Sequence, residues 1–345
     1  MRILVERARG AVSYPGKTVE PGVETRQAGV KTLFDHEPAF IGGFRSGSTL
    51  LVNLLGLHPE IAPWYETKCF CEALRWIRVL ADPSTCEQEE GLVTPTTPGG
   101  FSLPAVYDRM RFHMQFTDDR IKGSAPGTKA PHEEYPLGPD LIAYDLDHAT
   151  EKLEEWKQFI SHYGPSKQVV EIATGHLIFD LGSMHLANSQ GQFLVNKTPE
   201  IPRFGRELRA CIGRCKFIHL IRDGREVALS ATSLNWGTAE QIARIWQGMI
   251  LQTREAAQIY PDDYIEIRYE DLVADPRNVV DRIFGFLDIR NSHDVVADYE
   301  KLTGKKISPA TRKFRIGKGS RKSDDVLDIE AVAGTLLDEL GYSDF

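Results

Sequence analysis

The chain has 345 residues, room for one large domain or two small ones at about 100–200 residues each, and enough to bury a core without disulfide or metal staples. Hydrophobic residues make up 41% and charged residues 26%, which excludes collagen-like, disulfide-dense and wholly disordered chains. Asp plus Glu is 49 against 41 Lys plus Arg, so the formal charge is −8; that argues against general nucleic-acid or anionic-membrane binding but allows a local basic pocket for a small anion.

Residues 1 to about 37 read as a loose leader, with Pro15, Gly16, Pro21 and Gly22 and no sustained periodicity. No apolar signal region and no long apolar run is present, so a soluble, cytoplasmic protein is expected. The rest, 38–345, reads as one domain. Ala39 to Gly43 is a short apolar run ending in glycines, a buried strand. Ser48 to Leu57 places Leu50, Leu51, Leu54 and Leu55 on one helical face, and His58-Pro59 stops it. Residues 82–140 are rich in Pro, Gly, Thr and Ser and read as an irregular insertion, either a substrate lid or a tolerated surface excursion. Asp147 to Tyr163 has helical character.

A second series follows. Gln192–Asn196 predicts a strand, Pro202–Ile212 a helix, Cys215–Ile221 a strongly buried strand, and a helix begins near Gly224. Ala239–Ile259 predicts a long helix, Tyr264–Arg268 a strand, Pro276–Leu287 a helix, and Asp328–Leu340 a last helix. Strands separated by helices predict an α/β fold with a central parallel sheet flanked by helices. The five cysteines, Cys69, Cys71, Cys86, Cys211 and Cys215, form no paired knuckle, so free thiols are expected and no metal site. Asn196-Lys197-Thr198 fits a glycosylation sequon and is discounted without a secretory signal.

The segment Gly42-Gly43-Phe44-Arg45-Ser46-Gly47-Ser48-Thr49 sits where a strand hands over to a helix. Backbone N–H groups in such a turn converge, and the helix N-terminus adds positive potential. The spacing is P-loop-like but lacks the Walker lysine, and Arg45 supplies a cation from inside the loop. Farther on, Phe217-Ile218-His219-Leu220-Ile221-Arg222 ends a strand, and Ser230 lies about two turns into the next helix. An arginine and a hydroxyl placed this way can grip one phosphate through charge-assisted hydrogen bonds. Ile267-Arg268-Tyr269-Glu270-Asp271-Leu272 follows a late strand, with Asp275-Pro276 as N-cap and N1 of the next helix. Phe314-Arg315-Ile316-Gly317-Lys318-Gly319 is a basic, glycine-containing loop.

Together, in this order, these segments resemble sulfotransferases that use 3′-phosphoadenosine 5′-phosphosulfate (PAPS), a family with a P-loop NTPase-like fold. Phe44 to Leu51 resembles the 5′-phosphosulfate loop, usually Pro-Arg-Ser-Gly-Thr-Thr, with Phe44 for the proline and Ser48 for one threonine. Arg222 and Ser230 match the 3′-phosphate motif, and Tyr269 the Tyr-Glu-Asp-Leu segment near the adenine. Arg315 and Lys318 match a degraded form of the Phe-Arg-Lys-Gly closing loop, in which Ile316 replaces the lysine; a solvated basic loop is the alternative there. The resemblance therefore implies cofactor contacts from Arg45, Ser46, Gly47, Ser48, Thr49, Arg222, Ser230, Tyr269, Arg315 and Lys318. The matches leave residues 70–190 largely uncovered.

Sulfuryl transfer needs a base for the acceptor hydroxyl, stabilisation of the moving group and neutralisation of the leaving phosphate. Arg45 and the loop amides suit the leaving phosphate. Lys197, in Val195-Asn196-Lys197-Thr198-Pro199, resembles the lysine of the family's Lys-Thr-Pro motif, which implies stabilisation of charge near the bridging oxygen. His58 to Lys68 resembles the segment of tyrosylprotein-type sulfotransferases whose glutamate before threonine is the base, and this maps to Glu66. Flanked by Trp64 and Tyr65, Glu66 is expected to have a raised pKa suited to that work. Relatives with a histidine base leave His113, His132 and His176 as rivals.

The expectation is a PAPS-dependent enzyme that needs no metal and sulfates a hydroxyl of a small-molecule acceptor, releasing adenosine 3′,5′-bisphosphate (PAP). The absence of a membrane anchor points away from the peptide- and glycan-sulfating Golgi relatives. No nucleic-acid or membrane partner is expected, and a homodimer is left open. The alternatives are a P-loop kinase or NTPase and a non-catalytic nucleotide-binding protein.

Overall fold

A computed structural model describes residues 12–14, 17–19, 33–86, 89, 100–123, 136–137, 145–290, 292–308 and 324–342. Two short strands, β1 (Val12–Tyr14) and β2 (Lys17–Val19), pair antiparallel within the stretch read as a leader. The main sheet has five strands, β3 (Ala39–Gly42), β4 (Ile61–Tyr65), β5 (Phe193–Lys197), β6 (Lys216–Ile221) and β7 (Tyr264–Arg268). All pair in parallel in the order β4-β5-β3-β6-β7. The predicted α/β architecture is therefore the observed one.

The sheet is covered on both faces, which is why β3 reads as an apolar run, whereas the edge strand β7 alternates and is mostly half-buried. Phe40, Trp64, Leu194 and Phe217 point into one core with the helices Lys68–Ala81, Leu103–Ile121, Leu146–Tyr163 and Lys167–Asn188. Ile41, Tyr65, Val195, Ile218 and Ile267 point into the other with Ser48–Leu55 and Pro276–Leu287. A third cluster joins Ile221 to the helices Gly224–Thr232, Ala239–Ala257 and Asp324–Glu339. Helix starts follow local chemistry. Asp275 caps Asn278 with Pro276 in the first turn, and Thr238 and Gln241 form a capping box.

The segment expected to be irregular is not so throughout. Leu103–Ile121 is a 19-residue helix, capped by Ser102 with Pro104 in its first turn. Its apolar positions, among them Val106, Met110, Met114 and Ile121, are diluted by charged residues and framed by Pro/Gly stretches, which hid the period. The stretches themselves, 94–100 and 123–131, lie almost wholly outside the described residues.

Parallel pairing brings every strand's C-terminal end to one edge. β3 is central, and the chain leaves it for β4 on one side while β6 lies on the other. A crevice outside the carboxyl ends at such a switch point is where open α/β sheets bind ligands. In register, Tyr65 and Ile41 both oppose Lys197, Gly42 opposes His219, and Ile221 opposes Arg268.

Candidate active site

The loop after β3 is built on two glycines. Gly43 has φ 129, and a side chain there would strike the Leu220 carbonyl; Gly47 has φ 88, and a Cβ there would collide with the Tyr269 ring. Only glycine fits where two backbones or a backbone and a ring approach this closely. Gly47 is the N-cap of Ser48–Leu55, which has neither a side-chain cap nor an acidic residue in its first turn. The first N–H groups of that helix thus lack intrahelical acceptors and suit an anion. The Ser46 hydroxyl donates to the Phe44 carbonyl (3.0 Å), and Ser48 to the Gly43 carbonyl (3.4 Å). Thr49 follows in the first helical turn, its carbonyl 3.5 Å from the Tyr65 hydroxyl.

Arg45 reaches across to the second motif. Its Nε and Nη2 donate to Ser230 Oγ at 3.3 and 3.1 Å, and its guanidinium lies 5.2 Å from the Trp236 ring centre. Arg222 leaves the end of β6, pairs with Glu226 (3.1 Å) and covers the Tyr269 ring at 4.5 Å. The loop, Arg222, Ser230 and Tyr269, separate in sequence, are therefore one cluster with two cation–ring pairs, Arg45–Trp236 and Arg222–Tyr269.

On the other side of β3, the end of β5 meets the residue after β4. Lys197 Nζ lies 2.5 Å from Glu66 Oε1 and 4.9 Å from the Tyr65 ring centre. Both residues are buried. The Glu66 amide donates to the Lys197 carbonyl (2.8 Å), and the Thr117 hydroxyl donates to the Glu66 carbonyl (3.1 Å). Glu66 sits at φ 33 and Arg45 at φ 52. Left-handed backbone at a non-glycine costs of order 1–3 kcal/mol and concentrates at functional sites. Neighbouring Asn196, Thr198 and Thr67 lock the strand ends together through buried hydrogen bonds of 2.9–3.0 Å. Asn196 and Thr198 are fully buried, a physical reason to discount the sequon.

The expected rise in the Glu66 pKa is overturned. Burial does push it up, but Lys197, Arg120 and Lys68 outweigh burial and hold it well below the usual carboxylate range. Arg120 was not singled out in the sequence. It projects from Leu103–Ile121, and its Nη1 lies 3.2 Å from Glu66 Oε2. No local signal marks it, since 54 residues separate the pair.

Of the rival bases, His113 faces Glu72 at 3.5 Å, within a buried set in which Glu72 also binds Arg75 and Arg109. His176 lies on Lys167–Asn188 and acts electrostatically on Asp180. His58 accepts from the Glu60 amide on Nδ1 (3.3 Å) and donates from Nε2 to the Arg290 carbonyl (3.2 Å), a structural helix-end role. His132, Arg315 and Lys318 lie outside the described residues. Among the described residues there is no cluster of His, Cys, Asp or Glu suited to a metal ion, and no helix is long and apolar enough to cross a membrane.

The sequence profile of the sulfotransferase family matches residues 101–294, more than half of the chain. The chain belongs to the sulfotransferase family. In this sulfotransferase the match takes in Lys197, Arg222, Ser230 and Tyr269, while the Arg45 loop and Glu66 precede it. No curated protein sequence matches the chain. Among solved structures it is similar to the sulfotransferase domain from the Synechococcus PCC 7002 olefin synthase, at 19% identity over 91% of this chain and 98% of that one, with a TM-score of 0.44. The sulfotransferase domain from the curacin biosynthetic pathway gives 16% identity over 90% and 99%, with a TM-score of 0.45. Sulfotransferase STF9 from Mycobacterium avium gives 15% over 88% and 76%, with a TM-score of 0.48.

Proposed function

We propose that this sulfotransferase moves the sulfuryl group of PAPS to a hydroxyl of a small-molecule acceptor, giving a sulfate ester and PAP. The observation that carries this reading is the Glu66–Lys197 pair, at 2.5 Å, on the same sheet edge as the Arg45 loop. A carboxylate, a buried ammonium and an anion cradle are the three groups that the transfer needs. The uncapped helix start, the Gly47 approach and the Ser46 and Ser48 hydroxyls suit the 5′-phosphosulfate end. Arg222 and Ser230 suit the 3′-phosphate, and Tyr269 the adenine.

The acceptor oxygen attacks sulfur in line, the bond from sulfur to the bridging oxygen breaks, and the electron pair leaves on the 5′-phosphate of PAP. Glu66 takes the acceptor proton. It is already ionised, as a base must be, but its bond to Lys197 and its contact with Arg120 hold its proton affinity down. An anionic donor beside Lys197 competes for that ammonium. Drawn toward the bridging oxygen, Lys197 stabilises the leaving group and releases Glu66 Oε1, so that donor binding itself raises the basicity of Glu66. Arg45 neutralises the phosphate side.

Calorimetric titration with PAP, AMP and ATP–magnesium tests this. Binding of PAP without metal and well ahead of AMP is the expected result. A preference for ATP–magnesium would return the reading to phosphoryl transfer.

A further inference from the structure

Behind the motifs assigned to the nucleotide lies a buried tyrosine. Tyr342 follows helix Asp324–Glu339 and is buried, at 1% exposure. Its hydroxyl donates to Glu270 Oε2 at 2.9 Å, and the other oxygen of that carboxylate accepts the Asp223 amide at 3.2 Å. Its carbonyl accepts from Arg225 Nη2 at 2.6 Å, and Arg225 in turn holds both Asp223 oxygens at 2.9–3.0 Å. Arg268 lies 4.3 Å from the centre of its ring. The Tyr342 hydroxyl thus anchors the Glu270 side chain, and it is Glu270 that joins the helix start after β7, Tyr269–Ala274, to the turn after β6, which carries Arg222.

We propose that Tyr342 is a positioning residue for the 3′-phosphate subsite; this rests on the reading of Arg222 and Ser230 as that subsite. Glu270 accepts the amide of Asp223, the residue next to Arg222, so its carboxylate lies against the turn that carries the proposed phosphate arginine. Both of its oxygens are engaged, by Tyr342 on one side and the Asp223 amide on the other, which points the charge to the rear of the turn. Without the tyrosine hydroxyl the half-buried carboxylate keeps only the Asp223 amide, and the freed oxygen seeks a cation. Arg222, already bonded to Glu226, is the arginine next to Asp223. The effect is expected to be larger at the 3′ end, because Glu270 bonds directly to the turn that carries Arg222, whereas the Arg45 loop meets this region through Gly47 against the Tyr269 ring.

The test compares PAP and AMP binding by calorimetry in the full chain. Tyr342→Phe is expected to weaken PAP about tenfold, the scale of one charge-linked hydrogen bond, with AMP changed by less than about twofold. The loosened carboxylate does the harm, so adding Glu270→Ala to Tyr342→Phe should bring PAP binding back to the level of Glu270→Ala alone. A merely structural tyrosine would lower the melting temperature and leave the PAP-to-AMP ratio alone. If Tyr342→Phe does not fold, Glu270→Gln carries the test: with no charge to draw Arg222 away, PAP binding should hold or tighten, and a loss of about tenfold overturns the proposal. An unchanged ratio, or equal losses of PAP and AMP, overturns the proposal. Wild-type protein that does not bind PAP overturns the donor reading and the proposal with it.

Discussion

Lys197 and Glu66 meet at 2.5 Å because they end adjacent parallel strands, with Tyr65 and Lys197 in register. The ammonium holds down the proton affinity of Glu66 as well as partnering it, and the proposed mechanism separates them. That relation shapes the expectations for both residues.

Glu66→Gln keeps the shape of the side chain and removes the proposed base. PAP affinity is expected to stay within a few-fold of wild type, while kcat falls by about 10²-fold or more, the usual scale for a general base. Stopped-flow or single-turnover sulfation separates the two effects. Near-normal turnover would move the base elsewhere.

Arg120→Gln removes one of the cations that depress Glu66, leaving Lys197 and Lys68. The Glu66 pKa should rise, so the acid limb of the kcat/KM profile should move to higher pH. The profile is measured with any acceptor that turns over. A limb that stays in place would show that Arg120 serves only packing.

Arg45 and Ser230 share hydrogen bonds of 3.1 and 3.3 Å. Each alanine variant should weaken PAP binding, and the double variant should lose less than the sum, because contacting residues are not additive. Fully additive losses in calorimetry would mean that the two contact the nucleotide independently.

Gly47→Ala forces a side chain into the Tyr269 ring at φ 88. The strain of about 1–3 kcal/mol should lower the unfolding midpoint in urea and weaken PAP binding together. Unchanged binding would separate Tyr269 from the nucleotide.

Acid should loosen the fold in a defined direction. Burial opposes ionisation of Glu66, Glu72, Glu89 and Glu266, but neighbouring cations or hydrogen-bond donors win and hold each below its ordinary value of 4.5. Groups with a depressed folded pKa contribute stability that is present above the unfolded value and is lost as pH falls toward the folded one. Urea midpoints should therefore hold near neutrality and drop progressively below about pH 4.5, the unfolded value. A flat midpoint down to pH 3 would contradict the ion pairs.

The strand-to-helix passages at Gly43–Thr49, Arg222–Ser230 and Tyr269 were legible because each is written in a few neighbouring residues. Apolar runs, glycines and caps are local signals, and they also announced the parallel sheet. The edge strand Ile61–Tyr65, with a proline at its centre, and helix Leu103–Ile121 were not legible, because partners distant in sequence stabilise them. Glu66 shows the division most plainly. The sequence by itself nominated it and placed aromatic neighbours beside it, which suggested a raised pKa. Only the tertiary structure brought Lys197, 131 residues away, and Arg120, 54 away, onto its two oxygens and reversed that sign. Tyr342 is the same case, since its partners lie 72 and 117 residues back. Residue type and spacing determine which groups the chain carries; charge–charge and hydrogen-bond energies depend on distance in space, which only folding sets.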